Sequence, residues 1–171
     1  MITRHILAAA IALFPITAYT LGIGLRTYAD PKPAVDFYLP DLAGRIHQLS
    51  DYKGKAYLFS FWATWCVPCV KEMPPLERAA KILQQDGIAV LTVNTGETQQ
   101  EVERFLDRVA IDLPILLDPD AKAMDAWRVL ALPTSYIVNR DGTIAARVVG
   151  GLAWDDPFVL DQVRALASGL Y

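Results

Sequence analysis

Apolar positions along this chain recur in three different rhythms, and the rhythms divide it into elements. Residues 6–25, "ILAAAIALFPITAYTLGIGL", are predominantly apolar and carry no charge. "KAYLFSFWA" and "IAVLTVN" are short, near-continuous apolar runs, which predict central strands buried on both faces. "VKEMPPLERAAKILQQDG" instead spaces Met73, Leu76, Ala80 and Leu83 as a helix does, with Gly87 as its stop and Pro74–Pro75 as a kink or restart. A further helix is predicted at about Thr98–Val109, with Val102, Phe105 and Leu106 on one face, then a short strand "LPILLD" and a short helix "AKAMDAWRV". "TSYIVN" and "TIAARVVG" flank an Asp141-Gly142 turn and read as a β-hairpin. "DDPFVLDQVRALASGL" closes the chain as an amphipathic helix capped by Asp155 or Asp156. Near the start, "VDFYLPDLAGRIHQLSDYKG" holds two alternating pieces around Ala43-Gly44, a small hairpin.

The order mixes parallel and antiparallel pairing in one α/β domain. Residues 1–29 form a membrane anchor or signal segment, 30–34 ("DPKPA") a short stiff linker, and 35–171 the folded domain. The 20-residue run has the length of a bilayer span, and "RTYAD" beyond it also offers a small-residue cleavage site, so anchor and cleaved signal both stand. With Arg4 holding the N-terminus inside, the domain is exported in either case.

Charge narrows the partners. After position 29 the chain carries 14 basic against 19 acidic residues, a net of −5, with no basic block interleaved with aromatics. Nucleic acid is excluded as a partner on that pattern.

Only two cysteines are present, Cys66 and Cys69, separated by Val67 and Pro68. They fall where a buried strand gives way to a helix. There the first sulfur meets unpaired N–H groups and the positive end of the helix dipole, which favour the attacking thiolate. Pro68 in the first helical turn forfeits no hydrogen bond. The second cysteine, one turn later and more enclosed, is placed to resolve a mixed disulfide. A zinc site would need further cysteine or histidine ligands, and the only histidines are His5 and His47. A structural staple would close too small a loop to constrain the unfolded chain. Copper capture by two thiolates with Met73 or His47 is the surviving alternative; otherwise His47 is an ordinary exposed hairpin residue and Met73 a core one. No cofactor is expected.

"SFWATWCVPCVKEMP", followed by "VNTGET", "LPILLDPDAKAMDAW", "LPTSYIVNRDGTI" and "VVGG", resembles the membrane-anchored thioredoxin-like reductases of the ResA/TlpA/DsbE kind, which serve cytochrome c maturation in bacterial cell envelopes. The resemblance implies a thioredoxin fold, a central mixed sheet flanked by helices, with an added N-terminal hairpin. It implies that Cys66 attacks and Cys69 resolves, and that Pro133 is the cis-proline facing the couple. Trp65, Val67, Pro68, Leu132, Pro133 and Thr134 then form the substrate-binding surround, with Trp62 in the core. Ser60 stands where thioredoxins proper keep a buried aspartate, and Glu97 matches an acid that would carry the resolving thiol's proton. The resemblance further implies a reductant on the outer side of the cytoplasmic membrane, fed by a membrane thiol donor, its client the CxxCH disulfide of apocytochrome c. Copper-accepting oxidase assembly proteins are the alternative client, and a copper-binding chaperone the alternative function.

Overall fold

The computed structural model describes residues 25–169. Six strands form the main sheet in the order β1-β8-β7-β4-β5-β6, with β1 at Leu25–Pro33, β4 at Ala56–Trp62, β5 at Ile88–Thr95, β6 at Ile115–Asp118, β7 at Thr134–Val138 and β8 at Thr143–Val149. β4, β5 and β6 run parallel, while β7, β8 and β1 alternate antiparallel from β4 outward. β2 (Tyr38–Pro40) and β3 (Ile46–Gln48) make the separate small hairpin around Gly44, which has a positive φ of 78°. This is the mixed thioredoxin-type sheet with an added hairpin.

Every residue of β4 is buried, as its unbroken apolar run requires. Its alternation divides the core. Leu58 and Trp62 face the layer of α1 (Val67–Leu83), α2 (Gln99–Leu106) and α4 (Pro157–Ala167). Tyr57, Phe59 and Phe61 face the hairpin and α3 (Lys122–Ala126), where Phe37, Leu39 and Trp127 close an aromatic cluster. Asp156, the second of the two expected caps, accepts from the Phe158 N–H at 2.9 Å at the start of α4.

Three expectations are corrected. The expected anchor or signal segment 1–29 lies outside the described residues only over 1–24; residues 25–29 already belong to β1, and the segment 30–33 is not a free linker. It is the end of β1, whose Lys32 and Pro33 pair with Ile144 and Thr143 of β8. Prolines suit such an edge strand, where the missing N–H removes no ladder bond. Second, α1 neither restarts nor breaks at Pro74–Pro75. It is assigned continuously to Leu83, because the buried row Cys69, Met73, Leu76, Ala79 and Leu83 carries on past the prolines and holds the helix to the sheet. Third, His47 is largely covered. Its Nδ1 lies 2.9 Å from the Tyr52 hydroxyl and its Nε2 3.0 Å from Asp41 Oδ2, so both ring nitrogens are engaged within the hairpin region.

Candidate active site

β4 ends at Trp62, and after a short turn Cys66 becomes the N-cap of α1. The Cys69 N–H donates to Cys66 Sγ at 3.3 Å, so the first sulfur takes the place that a serine or aspartate oxygen takes at most helix starts. The two cysteines are joined as a disulfide. Cys69, on the inward face of α1, is fully buried. Pro68 occupies the first helical turn and is exposed.

Around this couple the surface is apolar. Trp65 is 68% exposed, Val67 63% and Leu130 88%. Trp65 shares a shallow cavity of about 240 Å³ with Thr95, Gly96, Met124, Leu130 and Leu132. Trp62, by contrast, is wholly buried. The Leu132–Pro133 bond is cis. The Phe61–Thr134 pairing sets Pro133 one position further on, at the sheet end that carries Cys66. The buried Thr134 hydroxyl donates to the Ala131 carbonyl at 2.7 Å, and the Pro133 carbonyl accepts from the Gly150 N–H at 2.9 Å; the two bonds brace this loop from both sides. Ser60 is buried and paired with another hydroxyl, Ser135 Oγ donating to Ser60 Oγ at 2.8 Å.

Glu97 is brought to the turn before the couple rather than left in solvent. Its Oε2 accepts from the Thr64 N–H at 2.7 Å and from Asn94 Nδ2 at 2.8 Å, and its Oε1 accepts from the Thr64 hydroxyl. Thr64 lies two residues before Cys66, so Glu97 holds the chain that presents the first sulfur. Glu97→Ala should therefore lower stability by about 1–3 kcal/mol, because it strands the buried Asn94 amide and the Thr64 donors. A urea titration that finds no shift in midpoint would refute this bracing role.

Sequence reasoning missed a second carboxylate. Glu72 follows Cys69 by one helical turn on the same buried face of α1. Its Oε2 accepts from the Leu152 N–H and from the Trp154 indole N–H, both at 3.2 Å, while its buried Oε1 has no protein hydrogen-bond partner. Desolvation raises its pKa to about 7, outweighing the opposing pull of those two donors. Through Leu152 the loop after β8 is tied to α1, and through Gly150 the same loop is tied to Pro133. The signal was available: an acid among inward-facing positions, between Cys69 and Met73 at helical spacing.

A buried disulfide at a helix start, delivered by a central strand and flanked by an X-cis-Pro loop, defines a thiol–disulfide oxidoreductase of the thioredoxin class. The AhpC/TSA family pattern matches residues 31–147. The thiol–disulfide oxidoreductase ResA of Geobacillus kaustophilus (strain HTA426) is 36% identical over 152 residues, 88% of this chain and 87% of that one. ResA of Bacillus subtilis (strain 168) is 34% identical over 169 residues, 98% and 93% of the two chains. The crystal structure of StoA from Bacillus subtilis superposes with a TM-score of 0.64 at 27% identity, covering 80% of this chain and 98% of StoA. The chain belongs to the AhpC/TSA family and, within it, to the ResA thiol–disulfide oxidoreductases.

Proposed function

We propose that this oxidoreductase works as a reductant on the outer side of the bacterial cytoplasmic membrane, anchored by residues 6–24 and acting on the CxxCH disulfide of an apocytochrome c. The observation that carries the direction of attack is the asymmetry of the couple. Cys66 Sγ accepts a backbone N–H at the helix start and Cys66 keeps 4% of its surface exposed, whereas Cys69, on the inward face of α1, keeps none. In the reduced protein the Cys66 thiolate attacks one sulfur of the client disulfide and expels the other as a thiolate, leaving a mixed disulfide. The Cys69 thiolate then attacks Cys66 Sγ and releases the client's second thiol. Two electrons pass to the client, and the Cys66–Cys69 disulfide remains.

Loss of the Cys69 proton needs a base in a dry place. Glu72, one turn away with a free oxygen, takes that role in this reading, and Glu97 acts on the approach to Cys66. The exposed apolar rim of Trp65, Val67 and Leu130 gives an extended client segment a surface beside the Leu132–Pro133 backbone. Among the described residues no helix is long and apolar enough to cross a membrane, so the anchor rests on the sequence of residues 6–24 alone.

The reduction potential of the couple tests the direction of electron flow. Measured on the full chain in detergent against glutathione and dithiothreitol buffers, it should lie at or below about −230 mV, in the range of thioredoxin and glutaredoxins. A value near about −120 mV would mark an oxidant and overturn the reductant reading.

A further inference from the structure

The apolar run and the folded sheet share a residue. Leu25 is the last of the uncharged run and also the first residue of β1, fully buried and paired with Val148. If the run crosses a bilayer, residues 6–24 must do so, and a helix of that length rises about 28 Å against a hydrocarbon core of about 30 Å. Nothing is left over for a spacer. The edge strand therefore starts at the membrane interface.

The topology fixes which end of the sheet that is. β1 runs antiparallel to β8, β8 to β7 and β7 to β4, so the beginning of β1 lies at the same end as the finish of β4. Leu25 pairs with Val148, Val148 with Ser135 and Ser135 with Ser60, and Cys66 follows six residues after Ser60. Three strand spacings, about 14 Å, separate β1 from β4. The Asp141-Gly142 turn between β7 and β8 lies at the opposite end.

A second observation points the same way. Arg26 stands directly opposite Arg147 across β1 and β8, an arrangement that like charges disfavour. Among the described residues neither arginine belongs to an ion pair. Arg147 Nε is buried without a protein partner, and its guanidinium lies 5.8 Å above the Tyr136 ring. Arg26, exposed, beside the apolar run and without an acid partner among the described residues, suits the phosphate layer of a bilayer, while Arg147 stays over the Tyr136 ring.

We propose that the cysteine-bearing end of the sheet faces the membrane, so that the exposed rim of Trp65, Val67 and Leu130 beside the couple is turned toward the bilayer surface. The proposal rests on the anchoring reading above.

Its test uses the full chain with Cys66→Ser and Cys69→Ser, reconstituted in phosphatidylethanolamine/phosphatidylglycerol vesicles that contain a headgroup spin-labelled lipid. A fluorophore is attached through Leu130→Cys at the couple's end or through Asp141→Cys at the far end. Quenching should be several-fold stronger at position 130, and a 20-residue Gly/Ser spacer inserted between Gly24 and Leu25 should abolish the difference. Equal quenching at the two positions, or stronger quenching at 141, on protein that resists alkaline carbonate extraction would overturn the orientation and leave the anchor standing. Release of the protein by carbonate would overturn the anchor, and the orientation with it.

Discussion

Cys69→Ser, expressed as the full chain in a bacterial cell envelope, should accumulate a mixed disulfide with its client, while Cys66→Ser should accumulate none. Both variants should lose essentially all multiple-turnover disulfide reductase activity, because each removes one of two obligatory exchange steps. The asymmetry is the informative part. Cys66 Sγ sits at the start of α1 on the Cys69 N–H, where its thiolate is favoured, and Cys69 lies on the inward face of the helix. With Cys69 gone, nothing inside the protein can attack the Cys66–client bond, and the adduct persists until an outside thiol reaches it. With Cys66 gone, the remaining thiol is buried and cannot reach a client. Non-reducing electrophoresis of acid-quenched extracts reads the result, and equal trapping by both variants would reverse or erase the assigned roles. The client recovered in the adduct also tests the apocytochrome c reading, since its trapped cysteine should lie in a CxxCH segment.

Glu72→Gln should make the protein more stable at pH 8 and a poorer enzyme there. Burial holds the Glu72 pKa at about 7, against an ordinary value of 4.5. Between those two values the folded protein keeps a proton that the unfolded chain has released. Stability therefore falls as pH rises through that window, by about 3 kcal/mol in all, and the full loss stands above pH 7. Glutamine is neutral at every pH and escapes the penalty. Wild type and variant should thus have similar urea midpoints near pH 5 and diverge toward pH 8, with the variant ahead. Activity should move the other way. An amide cannot take the Cys69 proton, and loss of a positioned general base lowers turnover by about a hundredfold or more. An enzyme that gains stability and loses rate through one substitution keeps that carboxylate for its chemistry. If Glu72→Gln is less stable at pH 8, or turns over normally, the carboxylate is only a strut for Leu152 and Trp154.

The parts of this site that were legible in the sequence are those whose neighbours are close along the chain. Cys66, Pro68 and Cys69 lie within one helical turn, and the buried run before them already places them at a strand–helix junction. The hairpin turns at Ala43-Gly44 and Asp141-Gly142 were readable for the same reason, since the backbone demand is met by the residues that make it. Glu97 could be nominated only through resemblance, and its actual contacts, to Thr64 and Asn94, lie 33 and 3 residues away. The Glu72–Trp154 bond spans 82 residues, and no local periodicity names that partner.

β1 shows the limit most clearly. "RTYADPKP" alternates poorly and contains two prolines, so by itself it reads as a tether. It becomes a strand because β8 presents an unpaired edge, and because Leu25 can be buried against that edge. By itself, then, the sequence determined an α/β domain, a redox pair at a helix start and a preceding apolar run, since periodicity and turn chemistry are local properties; the thioredoxin type came only through the resemblance of its motifs. Only the tertiary structure decided which carboxylate of α1 ties down the loop after β8, what braces the cis-proline loop, and at which end of the sheet the apolar run joins the domain. Those are matters of which distant segments meet, and burial pattern tells a residue that it must be covered without saying by what.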